Sequence, residues 1–241
     1  MTRNIVAGVA AAAAAGLVAL GAGSASAQTA AYDWNGFYLG LTTGWGVGKA
    51  TYTFNTKDFF GAAGESFTQP LSGMPIGGYA GYNFDVPGPL VVGIEASVQS
   101  AFVWLHGEGP TGLTDDSTAF SRVHYWATLG PRIGWANGRA LFYLEAGPAL
   151  GHVISELEND TKDLVGFDQS AFRVGYFAGL GVDFAITDRV TIGVGIRRIN
   201  LGAAHMEGDV RIIQNGDPVG TTDYEFRTRF TSVLVRIGFN F

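Results

Sequence analysis

The stretch that most limits what this chain can become is its C-terminal end, Phe230-Thr-Ser-Val-Leu-Val-Arg-Ile-Gly-Phe-Asn-Phe241. Counted in twos, Val233, Val235, Ile237, Phe239 and Phe241 fall on one face, and Ser232, Leu234, Arg236, Gly238 and Asn240 on the other. A period of two is the signature of a strand. The apolar face is complete, the opposite face carries an arginine, and the segment finishes on an aromatic residue. One such strand suits a soluble sandwich as well as the wall of a membrane barrel. The rest of the chain separates the two.

Seven further segments alternate in the same way: 34–47, 76–84, 90–104, 123–135, 140–150, 172–184 and 190–201. In each, residues such as Leu39 and Leu41, Ile94 and Val98, or Leu144 and Leu150 share one face. Short turns (85–89, Asn137-Gly138 and the region of Thr187-Asp188) alternate with long polar stretches at 50–75, 105–121, 152–171 and 202–225. Asn-Gly is a strong two-residue hairpin signal. Short turns at one end and long loops at the other describe an eight-stranded antiparallel transmembrane β-barrel with short periplasmic turns and four long extracellular loops.

The N-terminal 27 residues are a different material. Arg3 is their one charge, an Ala/Val/Leu/Gly run follows Ile5, and Ala25-Ser26-Ala27 makes an A-x-A cleavage pattern. This reads as a secretory signal peptide, leaving residues 28–241 as one barrel domain. No later segment is apolar for the ~18 residues a membrane helix needs. A membrane location therefore requires a closed barrel, since only helices and closed barrels satisfy their backbone groups in lipid. Charged residues are only 15% of the chain and glycines number 36, as a crowded inner face and an apolar outer face demand. The net charge of −6 argues against nucleic acid, and the absence of cysteine removes disulfides and thiolate metal sites.

Aromatic residues sort by height along the strands. Trp34, Phe84, Trp135, Phe142, Phe184 and Phe241 lie toward the short-turn end, and Trp45, Trp104, Tyr125 and Phe172 toward the long-loop end. Two such belts match the two interfaces of a bilayer.

Several of these stretches together resemble a known family. Trp34-Asn-Gly-Phe-Tyr-Leu-Gly, Gly77-Gly-Tyr-Ala-Gly-Tyr-Asn-Phe, Val92-Gly-Ile-Glu-Ala, Thr128-Leu-Gly-Pro-Arg-Ile-Gly-Trp and Val235-Arg-Ile-Gly-Phe-Asn-Phe are similar to the small eight-stranded outer-membrane proteins of the opacity-porin type, relatives of the OmpA-like transmembrane domain. The resemblance covers 34–241. It implies a porin-like surface protein of the Gram-negative outer membrane, a surface antigen whose last strand (Val233, Val235, Ile237, Phe239, Phe241) is read by the barrel-insertion machinery. The seventh strand departs from the pattern, with Gly193 and Gly195 where inward polar residues are expected.

Parity places Glu95, Arg132, Glu145, Asp183, Arg197 and Arg236 inside. Charges in so narrow a barrel must be paired. Counting from the periplasmic ends puts Glu95, Arg132, Glu145 and Arg236 in one layer about 10–13 Å above the rim. Asp183 counts nearer the rim and Arg197 higher. A two-residue Asn137-Gly138 turn would set Arg132 opposite Tyr143 and diagonal to Glu145. The layer is a structural plug, a gate to a narrow water path, or, least in keeping with the sequence, a catalytic carboxylate pair. Pro131 and Pro148, mid-strand, predict bulges.

No serine elbow, phosphate loop or spaced metal-ligand set appears, so neither catalysis nor a cofactor or metal is expected. His106, His124, His152 and His205 are not spaced as ligands. Arg227 and Arg229, near the end of the fourth long loop, are positioned to meet lipopolysaccharide phosphates. The expected partners are outer-membrane lipid, lipopolysaccharide and the insertion machinery, with no nucleic acid, and the expected state is a monomer. The function expected is a non-enzymatic envelope-integrity protein with a plugged polar interior. A narrow diffusion porin is the alternative, and a lipid- or peptide-modifying outer-membrane enzyme a more distant one.

Overall fold

A computed structural model of the chain describes residues 32–57, 62–111, 117–159, 164–212 and 217–241. The expected signal peptide lies outside them. Eight strands run β1 (Gly36–Phe54), β2 (Ser66–Phe84), β3 (Leu90–Pro110), β4 (Ser117–Asn137), β5 (Ala140–Asn159), β6 (Leu164–Ala185), β7 (Val190–Ile212) and β8 (Pro218–Asn240). Each pairs antiparallel with the next, and β8 pairs with β1, from Tyr38 opposite Asn240 to Phe54 opposite Tyr224, so the sheet closes on itself.

The strands are longer than the alternation of outward apolar residues indicates. They span 19 to 23 residues, which at ~3.3 Å per residue and a tilt near 40° is about 50–60 Å of barrel height, against an apolar band of ~25 Å. Much of what reads as long polar loop at 50–75, 105–121, 152–171 and 202–225 is therefore strand. The reason is an inversion of sense along each strand. In the lower part apolar side chains face out, as with Leu41 and Val235, both more than half exposed. Above Val47 and Thr231 the outward residues are Lys49, Thr51, Arg227 and Arg229, and the inward ones are Ala50, Tyr52, Phe226 and Phe230, all buried. Parity is unbroken on β1 and β8, and the apolar face passes from the outside to the inside.

Irregularities fall elsewhere than the prolines suggest. Thr128 pairs with Ala149 and Arg132 with Glu145, four residues on along each strand, so no residue is inserted at Pro131 or Pro148. The seam is instead closed by Gly130, whose backbone lies against the Ala146 carbonyl, and by Gly147, whose backbone lies against that of Leu129. Without side chains there, the two strands stay in register past the missing donors. Register shifts occur higher up, among them Val123/Tyr125 on β4, where both His124 and Tyr125 turn outward and Trp126 turns in.

The turn joining β4 and β5 is Gly138-Arg139, with Asn137 paired to Ala140. Gly138 has φ +60°, a left-handed conformation that glycine adopts without penalty. This sets Arg132 opposite Glu145, and Tyr143 opposite Gly134, two residues from the register expected.

The interior has three levels. At the short-turn end Trp34, Val91, Leu141 and Ala185 form a small apolar cap, with Tyr32 and Ala136 against it. Trp34 is thus not part of an outward belt: it precedes β1, turns under the barrel, and its carbonyl accepts a hydrogen bond from Asn83 Nδ2 at 2.7 Å. The upper half is filled by a larger apolar core that includes Tyr52, Phe54, Leu105, Trp126, Phe226 and Phe230. Between the two lies the polar layer.

Candidate functional site

The charged layer is built from six strands. Glu95 comes from β3, Arg132 from β4, Glu145 from β5, Asp183 from β6, Arg197 from β7 and Arg236 from β8; the signs alternate from β3 to β5, and like charges stand on adjacent strands at β5–β6 and at β7–β8. All six are buried. Glu95 is the hub. Its carboxylate accepts from Arg197 Nη2 at 2.5 Å, Arg236 Nη2 at 2.7 Å and Arg132 Nη1 at 3.4 Å, and from the Tyr38 hydroxyl at 3.1 Å. Arg197 also donates to Glu145, from Nε at 2.5 Å and Nη2 at 3.0 Å. Arg132 pairs with Asp183, whose other oxygen lies 3.6 Å from Arg236 Nε. Three acids and three bases form one connected, neutral cluster.

Asp183 and Arg197 belong to this cluster, not to the rim or a separate level. The inclined strands of a closed barrel shift heights counted from each strand's own end. Rows across the sheet show which side chains meet. Glu145, Gly179 and Arg197 are successive partners on β5, β6 and β7, and Asp183, Gly193 and Arg236 on β6, β7 and β8. Tyr38, Gly81 and Glu95 form the same kind of row on β1, β2 and β3. In each row the middle residue is glycine, and the flanking side chains meet over it. A Cβ on Gly179 would stand 2.8 Å from Glu145 Oε1, and one on Gly193 would overlap Asp183 Oδ1. Of the two β7 glycines that break the expected pattern, Gly193 is thus required by the charges on either side, whereas Gly195 lies between Gly181 and Leu234.

Aromatic rings complete the cage. The Arg132 guanidinium sits 3.7 Å from the Tyr143 ring centroid, and that of Arg236 3.9 Å from the Tyr79 centroid. Such stacking suits the planar, weakly hydrated guanidinium. The Tyr143 hydroxyl accepts from Arg236 Nη1 at 2.8 Å, and Ser97 Oγ from Arg197 Nη1 at 2.7 Å. Tyrosines 38, 79 and 143, together with the glycines, are functional positions that charge parity alone does not single out. Their signal in the sequence is an inward glycine beside an inward tyrosine or charge.

Along the same rows, beside the charges, lie the neutral polar residues Thr42, Gln99 and Ser232, whose side-chain polar atoms find no partner among the described residues. Higher, inside the apolar core, the Tyr52 hydroxyl meets Ser121 Oγ at 2.7 Å and Ser155 Oγ at 3.0 Å, and Ser155 meets the Tyr224 hydroxyl at 3.0 Å. Burial pushes the Tyr52 phenol above its ordinary pKa, so this cluster stays neutral.

On the outside, Val235, Ile237 and Phe241 are exposed, Phe239 is half-buried, and Val233 is covered between its cross-strand neighbours Trp45 and Ile196. Phe84, Trp135 and Phe142 are exposed near the short turns, with Phe184 half-buried beside them. Trp45, Tyr125 and Phe172 are exposed higher up, where Tyr125 and Phe172 flank His152 in one cross-strand row. The Trp104 side chain lies outside the described residues. His205 Nδ1 stands 3.4 Å from Asp223 Oδ1 on the outer wall. Among the described residues, no group of three or more His, Asp or Glu is arranged to hold a metal ion.

The sequence model of a family described as the outer membrane protein beta-barrel domain matches residues 15–241. The 31 kDa outer-membrane immunogenic protein of Brucella melitensis is 29% identical over 177 residues, 69% of this chain and 72% of that protein. The 25 kDa outer-membrane immunogenic protein of Brucella abortus is 26% identical over 211 residues, 87% of this chain and 79% of that protein. Among solved structures, OprG from Pseudomonas aeruginosa superposes with a TM-score of 0.51 at 10% identity, covering 86% of this chain and 96% of that one, a likeness of fold.

Proposed function

Because this chain belongs to the outer-membrane protein β-barrel family, we propose that it serves the envelope as a closed, non-enzymatic barrel that stiffens the outer membrane and carries a rigid strand-built extension above it. The protein is a porin-like surface protein of the outer membrane. The observation that carries the proposal is the filled interior: an apolar cap, a neutral six-charge cluster and an apolar core occupy successive levels. Each of the three carboxylates of the cluster is already held by arginine, which leaves none of the three available as a general base. In this reading residues 1–27 are removed on export, residues 28–241 form the working barrel, and Val233 to Phe241 are recognised during insertion. The barrel acts as a monomer among outer-membrane lipids.

A second reading, a narrow diffusion channel, draws on one observation. The unpartnered polar atoms of Thr42, Gln99 and Ser232 call for buried water beside the charges. The two readings predict opposite signs in cells. Deleting the gene should raise entry of a hydrophobic dye and sensitivity to detergent if the barrel is an envelope support. It should instead lower the uptake of small hydrophilic solutes, with no gain in dye entry, if the barrel is a channel. Dye fluorescence and solute uptake measured on one deletion strain, with and without the restored gene, decide between them.

A further inference from the structure

We propose that the outer wall of β8 and β1, just above the apolar band, is a binding site for the phosphate monoester headgroup of an outer-leaflet glycolipid. The site does not depend on whether the barrel conducts. Lys49 on β1 stands directly opposite Arg229 on β8, and Thr51 opposite Arg227. Like charges set directly opposite each other across a strand pair repel and destabilise the sheet. Among the described residues, no carboxylate lies within ion-pair distance of Lys49 or Arg229, and the one acid beside them, Glu225, is held by Arg227 at 2.9 Å. Arg229 Nε is buried and has no hydrogen-bond partner. An unpartnered donor of this kind costs stability until an acceptor reaches it. Lys49, Arg227 and Arg229, with Thr51, Thr53 and Glu225, line an outward groove of about 190 Å³.

Its position identifies the occupant. One row below lie Val47 and Thr231, and two rows below lie Trp45 and Val233, where the outward surface has become apolar. A lipid whose acyl chains run along Trp45 and Val235 would present its headgroup to Lys49 and Arg229. A phosphate monoester carries about −1.5 to −2 charges, enough to offset two facing cations, where a phosphodiester carries only one. Its oxygens match the arginine fork. The hydroxyls of Thr51 and Thr53 and the Glu225 carboxylate continue the groove upward with groups that suit sugar hydroxyls.

The test is native mass spectrometry of the full mature chain in detergent micelles, titrated with bis-phosphorylated lipid A, with its dephosphorylated form and with phosphatidylglycerol. Bis-phosphorylated lipid A should be retained roughly tenfold or more above both others, and Lys49→Ala and Arg229→Ala should each lower that retention roughly tenfold, as for a charge-assisted hydrogen bond. Arg139→Ala, at the opposite rim, should leave it unchanged. Lys49 is exposed, so its replacement leaves the barrel folded whatever Arg229→Ala does. Unchanged retention by Lys49→Ala, or equal retention of dephosphorylated lipid A or phosphatidylglycerol, overturns the proposal.

Discussion

Glu95→Ala is expected to lower the unfolding free energy of the barrel by about 3–5 kcal/mol, the scale of breaking a buried ion pair from one side. Glu95 is the one carboxylate that touches all three arginines. Its loss leaves three buried cations facing two acids, with the Tyr38 hydroxyl deprived of its acceptor. The isosteric Glu95→Gln should fall in the same direction, because the deficit is charge rather than volume. The informative partner is Arg236. Without Glu95 and Arg236, the pairs Arg132–Asp183 and Arg197–Glu145 remain intact and neutral. Glu95→Gln combined with Arg236→Met should therefore be more stable than the summed single losses predict, by roughly 0.5–3 kcal/mol of coupling. Urea titration in detergent micelles, read by the mobility difference between folded and boiled protein, measures all four species. Strict additivity would mean that the six charges do not act as a unit.

Leu144→Arg is expected to cost about 2–4 kcal/mol when the protein refolds into lipid vesicles, the depth-dependent penalty for arginine on the lipid face of a barrel. Leu144 is 63% exposed and lies inside the apolar band, between Ile133 and Leu180 on neighbouring strands. In water an exposed leucine-to-arginine change is nearly neutral, so the penalty reports lipid directly. Ser72→Arg supplies the contrast. Ser72 is also exposed and outward but sits beside Val47, at the top of the band, and its replacement should stay within roughly 0.5 kcal/mol, as surface changes do. Equal costs at the two positions would remove the bilayer from that part of the wall.

How far such features can be read from sequence depends on which rule governs each residue. Strand number and inward parity follow from local alternation. Residues such as Arg132, Glu145 and Arg236 are therefore legible as interior groups before any fold is known. The upper half of the barrel is not, because there the hydrophobic sense reverses. Tyr224, Phe226 and Phe230 alternate with Glu225, Arg227 and Arg229 as regularly as any lower segment. A search for apolar residues on the outward parity passes over them as polar loop. Heights are hidden for a different reason. Asp183 and Arg197 reach the same cluster only because the strands are staggered, and stagger is set by the closed sheet, not by any one strand. The Arg132–Glu145 register turned on a single choice, whether Asn137 belongs to the turn or to the strand. Gly193 reads as a gap until Asp183 and Arg236 are known to lie on either side of it, and then it is the residue that lets them meet.

In the proposed function the barrel is closed by its own side chains. Single-channel recording of the purified mature protein in planar bilayers tests it most directly. The filled interior predicts no steady openings in the wild-type protein, at either polarity and in either direction of insertion. A stable ohmic conductance in the wild-type protein that changes when Glu95 or Arg236 is replaced would contradict it, and would make the charge cluster the wall of a pore.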